Sequence, residues 1–263
     1  MRGRRLTPQE VTCCQRSAGQ QKNGENPWNT IDPPRVDAAT IERTQPLPRL
    51  IEPVLKAECY ACHSGTAKEL KAMEALVGSG NTKLFLAGAA TEANLKAADL
   101  ASSSVLFLAT HGLVAGEVGD IGEPGLVFTP PAAASPADDG LLTASEVAAL
   151  RIGAGWVILS ACNTAAGDGR AGAPGLSGLA RAFFFAGSES LLASHWPVRD
   201  DVAAVLTVRL FEILRADPKL SRAEALQRAE REIRNDTRDD PYLKSWSHPS
   251  AWAPFSLIGD VGR

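Results

Sequence analysis

Two apolar runs constrain the fold of this chain more than any other feature: "SVLFLATHG" (104–112) and "GWVILSAC" (155–162). Each is a block of consecutive apolar residues, without the polar alternation of a half-exposed strand. A strand of that kind is buried on both faces, which is the condition of strands inside a parallel sheet. The segments between and after them carry helical patterns. "TEANLKAADL" (91–100) opens on Thr91 and "TASEVAAL" (143–150) on Thr143, both good helix caps. "PGLSGLARAFFFAG" (174–187) has Pro174 near its start and Gly187 past its end. "DDVAAVLTVRLFEILRA" and "SRAEALQRAEREIRND" are amphipathic, and "TAKELKAMEALVG" sets Leu70, Met73, Leu76 and Val77 at helical spacing behind Thr66 and Glu69. "SESLLASHW" and "APFSLIGD" read as further strands and "KLFLAG" (83–88) as a short one. The stretch from about Val114 to Gly140, rich in Gly, Pro and Ala, reads as a loop. Strands alternating with helices make this an α/β chain with a mostly parallel sheet covered by helices on both faces.

In such sheets, ligands bind beyond the carboxyl ends of the strands. Both apolar runs end there on a reactive side chain, His111 on one and Cys162 on the other. One helix separates them in sequence, so the two strands can be neighbours. An imidazole beside a thiol helps to form the thiolate and can return a proton to a leaving amine. Gly112 leaves its backbone N–H accessible, and together with the N–H of Cys162 it can cradle an oxyanion. Taken singly, a cysteine in "LSAC" is a small core residue and a histidine at a strand end a hydrogen-bonded structural group. Their joint position favours the dyad. His195, at the end of "LLASHW", competes as the base, but Trp196 beside it suggests a packed rim.

Composition narrows the rest. The 263 residues are 44% hydrophobic, enough for one main domain with an appendage. A formal charge of −3 gives no electrostatic case for binding nucleic acid or an anionic membrane. No apolar run has the length of a bilayer span. The basic N-terminus lacks the apolar core of a secretory signal, so the expectation is a reducing, cytoplasmic setting in which the five cysteines are not a disulfide framework.

The first 63 residues read as an irregular tail, polar and broken by prolines at 27, 33, 34, 46 and 48. It holds "CYACHSG" (59–65), a C-x-x-C-H sequence of the kind that attaches c-type haem through Cys59 and Cys62 with His63 as axial ligand. Haem attachment needs export, and Met73 sits too near in sequence to reach round a haem. Zinc needs four ligands as a rule, whereas Cys59, Cys62 and His63 supply three and Cys13 and Cys14 are distant. The expectation is a junctional remnant with no cofactor; haem binding is the alternative, zinc the next.

"FLATHG", "DDGLLTASEV", "VILSACNTAAG", "GLARAFFFAGSESLLASHWPV" and "HPSAWAPFSLIGD" occur in an order that resembles the CHAT domain family. These are caspase-like domains in the clan of cysteine peptidases that includes caspases and separase, often fused to tetratricopeptide repeats. The resemblance covers 66–260. It implies a caspase-like α/β fold and proteolysis by a Cys–His dyad, with His111 and Cys162 at the catalytic positions. It also implies a protein substrate, and a regulatory partner or repeat protein. Full members carry further strands ahead of the "TAKELKAMEALVG" helix, so the expectation here is an N-terminally truncated domain with an open sheet edge, in a bacterial, cytoplasmic protein. "SHWPVRDD" (194–201) resembles the W-x-V-x-D segment of separase-like members, whose aspartate lines the pocket for the residue before the cut. That match makes Asp200, and after it Asp201, a site for a basic side chain; the other role open to them is to cap the next helix, where acids suit the positive end of the dipole. Beside the peptidase stands one alternative of another class, an inactive interaction module that keeps the fold.

Overall fold

The computed structural model describes residues 67, 69–116, 122–135, 137–162, 164–165, 176–235 and 245–260. The strands of the main sheet are β1 (Val105–Ala109), β5 (Trp156–Ser160), β6 (Ser190–Ser194) and β7 (Phe255–Gly259), in the order β1-β5-β6-β7. The first three run parallel and β7 is antiparallel to β6. A smaller antiparallel sheet, β2 (Gly112–Leu113), β3 (Gly125–Val127) and β4 (Leu141–Thr143), continues directly from the end of β1.

The helices are α1 (69–77), α2 (Glu92–Lys96), α3 (Ala144–Ala149), α4 (Gly178–Phe185), α5 (Asp200–Ala216), α6 (Arg222–Arg234) and α7 (Pro249–Trp252). They cover both faces of the main sheet. Because side chains alternate along a strand, Val157 and Leu159 of β5 point to one face and Trp156 and Ile158 to the other. The first face packs on Leu95 of α2, Val147 of α3 and Leu179 and Phe183 of α4. The second packs on Val202, Leu206, Leu210 and Ile213 of α5 and on Ala225, Leu226, Ala229 and Ile233 of α6. Of the two block-apolar strands, β5 is central with two dry faces, whereas β1 lies at the edge of the described sheet and is only partly buried, with Val105 exposed.

Local chemistry sets the helix ends. Thr91 accepts from the Asn94 N–H, and Thr143 and Ser221 form reciprocal capping boxes with Glu146 and Glu224. Gly187 follows α4 at φ +110, and an added Cβ there would lie 2.5 Å from the Ile152 carbonyl. Only glycine fits that reversal.

Three expectations change. Residues 83–88 are not a strand: 82–86 are extended without a ladder, and Ala87, at φ 47, turns the chain into the short 3-10 helix Ala87–Ala89. Hydrogen bonds from Thr129 to Ala87 and Ala90 carbonyls hold that turn in place of a neighbouring strand. The stretch 114–140 is not all loop, since β3 lies within it; a three-residue strand is too short to show periodicity. Helix α4 begins at Gly178 behind Ser177, whose hydroxyl accepts from the Ala180 N–H at 3.0 Å, rather than near Pro174. Thr66 and the segment 1–63 lie outside the described residues.

Candidate active site at the carboxyl edge of the sheet

The register of β1 against β5 ends with Ala109 opposite Ser160. His111 and Cys162 each lie two residues beyond that last pair, so the ends of adjacent parallel strands lead to both of them at the carboxyl edge. Phe107 and Ile158 point to the same sheet face, and one step of two along each strand carries that parity to its last residue, Ala109 and Ser160. Cys162 is buried, at 5% exposure, and His111 half-buried.

Backbone directions can be followed residue by residue. The Ser160 carbonyl accepts from the Thr110 N–H at 3.3 Å, so it faces β1. The next carbonyl, Ala161, accepts from the Ser194 hydroxyl at 2.5 Å, so it faces β6. A trans peptide directs the following N–H the opposite way; the Cys162 N–H therefore points back toward the β1 side. On the other strand, the His111 carbonyl accepts from the Val127 N–H at 2.9 Å and faces β3. A bond from that flanking position makes Gly112–Leu126 a non-hydrogen-bonded pair of the antiparallel ladder. The Gly112 N–H is thus turned away from β3, toward the end of β5. Both N–H groups are directed into the same gap between strand ends.

That gap is narrow. A Cβ on Gly112 would come 2.3 Å from the Cys162 carbonyl oxygen and 3.3 Å from Cγ2 of Thr164. Glycine is required there by close approach of two backbones.

Each side of the gap is anchored from behind. On the His111 side, Val127 donates its N–H to His111 and accepts on its carbonyl from the Thr110 hydroxyl. On the Cys162 side, the Thr164 hydroxyl accepts from the Ser194 N–H at 2.9 Å, the Ser194 carbonyl accepts from the Ala165 N–H at 2.7 Å, and the Ser177 hydroxyl donates to the Thr164 carbonyl at 2.5 Å. Beneath the last residue of β5 sits Glu69 of α1, 4% exposed, whose carboxylate accepts from Ser160 Oγ at 3.2 Å and Thr207 Oγ1 at 2.6 Å. The small sheet is held in turn by Glu92. This carboxylate accepts the N–H groups of Asp139 and Gly140 and pairs with Lys96 at 2.8 Å. Burial pushes the Glu92 carboxyl above its ordinary range, against the opposing pull of Lys96.

His195 lies on the other flank of the Cys162 strand, one residue past β6. It is exposed, and its N–H donates to the Pro254 carbonyl at 2.9 Å. Trp196 is half-buried and donates its indole N–H to the Ser250 carbonyl of α7. Asp200 and Asp201 are the first two residues of α5, behind Arg199 in the cap position. The segment 195–199 carries the chain to them from the carboxyl end of β6. Cys59, Cys62, His63, Cys13 and Cys14 lie outside the described residues. Among the described residues no group of three His, Cys, Asp or Glu could hold a metal ion, and no helix is long and apolar enough to cross a membrane.

Ser194, Thr164 and Glu69 are site-supporting residues that sequence reasoning missed. Glu69 left a trace, for it precedes the buried Met73 by four residues, an acid on a buried helical stripe. A serine closing an apolar strand leaves none.

A mostly parallel sheet, helices on both faces and two reactive residues at its carboxyl edge define a caspase-like α/β domain. The sequence matches the CHAT domain family over residues 15–260, and the chain belongs to that family. It is 31% identical over 211 residues to tetratricopeptide repeat protein 28 of Mus musculus, which covers 73% of this chain and 8% of that protein. It is 32% identical over 124 residues to the Homo sapiens protein of the same name, covering 47% of this chain and 5% of that one. The chain thus spans less than a tenth of the length of these curated relatives. The match to the family begins at residue 15, well ahead of Thr66.

Proposed function

We propose that this domain is a cysteine endopeptidase that cleaves protein substrates with Cys162 as nucleophile and His111 as general base and acid. The observation that carries the reading is the register whose adjacent strand ends lead to His111 and Cys162, with the Gly112 and Cys162 N–H groups turned into one gap. In this scheme His111 takes the thiol proton and the sulfur adds to the scissile carbonyl carbon. The carbonyl electron pair moves to oxygen, where the two N–H groups stabilise it. Collapse expels the amine, protonated by His111, and water then hydrolyses the thioester. Asp200, with Asp201 beside it, opens α5 where the chain returns from the carboxyl edge, which supports a pocket for Arg or Lys before the cut. A reducing, cytoplasmic setting suits a catalytic thiol. The relatives' name carries tetratricopeptide repeats, and a repeat protein is the regulatory partner proposed.

The test is cleavage of a fluorogenic peptide library by the full chain. Turnover that disappears in Cys162→Ala and in His111→Ala, and after alkylation with iodoacetamide, supports the reading. Turnover that survives in Cys162→Ala refutes it.

A second reading rests on the 5% exposure of Cys162. A thiol covered to that degree is poorly placed to attack a peptide, which favours an interaction module that keeps the fold without turnover. Cys162 that resists iodoacetamide in the folded protein under every condition tried, together with no cleavage of any peptide, selects that reading.

A further inference from the structure

The peptide unit that ends in the Cys162 N–H is fixed at its other end by one residue of the neighbouring strand. Ser194 is fully buried and uses three of its groups on the loop that carries Cys162. Its hydroxyl donates to the Ala161 carbonyl at 2.5 Å. Its N–H donates to Thr164 Oγ1 at 2.9 Å, and its carbonyl accepts from the Ala165 N–H at 2.7 Å. The regular ladder between β5 and β6 pairs Val157 with Leu191 and Ile158 with Leu192. Ser194 thus continues by side chain and backbone together what the ladder does further down.

The three bonds do different things. Those to Thr164 and Ala165 hold the loop behind Cys162. The one to Ala161 acts on the peptide plane that contains the Cys162 N–H. A planar trans peptide cannot turn its N–H without turning its C=O. Holding the oxygen on β6 therefore aims the hydrogen at the gap between β5 and β1. A carbonyl that accepts a strong hydrogen bond also polarises its own peptide, which makes the N–H at the other end a better donor.

We infer that Ser194 is a positioning residue for oxyanion stabilisation: through the Ala161 carbonyl it fixes the direction and strength of the Cys162 N–H. It touches neither substrate nor sulfur. The inference rests on the proposal that Cys162 is the nucleophile, and its test separates the two. Two reagents divide the roles of the site. Iodoacetamide alkylates the thiolate with loss of iodide and develops no oxyanion. A peptidyl aldehyde takes the sulfur onto its carbonyl carbon and the electron pair onto oxygen, which then takes a proton; that adduct depends on the oxyanion donors. Three aldehydes, ending in Arg, Asp and Leu, are measured on the full chain, and the tightest binder to wild type is used.

Ser194→Ala is expected to weaken aldehyde binding 10- to 100-fold while the rate of iodoacetamide alkylation at Cys162 stays within twofold. Ser190→Ala, which removes a buried hydroxyl and its bond to the Gly155 carbonyl at the other end of the same strand, is expected to leave aldehyde binding within threefold. Ser194→Thr, which keeps the donor, restores at least a third of the wild-type affinity. Thermal unfolding checks that each variant is folded. Where Ser194→Ala cannot be purified, Ser194→Cys, with a weaker donor, shows an intermediate loss. Equal losses with both reagents mean a general structural role and overturn the inference, as does unchanged aldehyde binding in Ser194→Ala. Absence of aldehyde binding by wild type itself refutes the peptidase reading, and the inference falls with it.

Discussion

Gly112→Ala tests the geometry of the strand ends without presupposing a substrate. The added methyl would start 2.3 Å from the Cys162 carbonyl oxygen, where ordinary contact begins at 3.4 Å. The shortfall is about 1.1 Å, and the atom in the way is backbone, with no rotamer to yield. Retreat is blocked on the far side as well. Thr164 Cγ2 stands at 3.3 Å, and Thr164 is tied to Ser194 and Ser177. Relief has to come from parting the ends of β1 and β5. Overpacking of this kind costs about 1–3 kcal/mol. For a domain of this size that lowers Tm by about 2–12 °C. A displacement of about 1 Å at reacting groups is enough to cost on the order of 100-fold in rate.

Two measurements check this: thermal unfolding of the full chain, and the rate at which a peptidyl aldehyde or iodoacetamide modifies Cys162. Gly153→Ala is the comparator. A Cβ there would lie 1.9 Å from the Ala101 carbonyl, a worse overlap, but before β5, at the opposite edge of the sheet. It is expected to lower Tm and leave Cys162 reactivity per folded molecule unchanged. Gly112→Ala with Tm within 1 °C of wild type and unaltered reactivity would show that the backbones at this edge do not meet as described.

Other expectations are more local. Glu92→Ala removes the partner of Lys96 and of two backbone N–H groups from a fully buried site, and should cost about 3–5 kcal/mol in urea unfolding. Burial pushes the Glu230 carboxyl from 4.5 up to about 7. Between those values the folded protein holds a proton that the unfolded chain releases, so stability falls as pH rises through that window. Glu230→Gln should flatten this part of the Tm-against-pH profile, and an unchanged slope would exclude the assignment. Asp200→Ala should abolish a wild-type preference for Arg or Lys before the cut in a peptide library; an identical profile in the variant removes Asp200 from the pocket.

The central sheet was legible because buried parallel strands write themselves as apolar blocks. "WVIL" sits between two helical layers and is buried on both faces, and "VLFLA" beside it at the sheet edge keeps the apolar block although it is only partly buried. The capped helices were legible because Thr91, Thr143 and Ser221 announce them by short-range chemistry. What failed was short or dependent on distant partners. The strand β3 spans only Gly125–Val127 and owes its state to hydrogen bonding with β2 and β4. Residues 83–88 have strand composition but no ladder, and the turn at Ala87 is held by Thr129, 42 positions away. Composition records what a residue prefers; a ladder also needs a partner at the right distance.

The candidate site divides along the same line. Its chemical residues are visible because position in an α/β sheet is itself information: a strand that ends on His111 or Cys162 puts that side chain where such folds bind ligands. The residues that hold them are not. Val127, Ser194, Thr164 and Ser177 act through backbone groups and single hydroxyls, and their partners lie between 13 and 33 positions away. No pattern in "LLASHW" distinguishes a serine that bonds a neighbouring carbonyl from one that only ends a strand. In the proposed mechanism these residues hold the two strand ends that frame the gap between β1 and β5. Two N–H groups at the ends of separate strands converge only if each strand is held from its outer side, β3 pulling on the His111 carbonyl and β6 on that of Ala161. In the proposed mechanism the small sheet and the serine of β6 therefore have equivalent roles. Loss of either anchor should release the N–H on its own side and leave the other aimed.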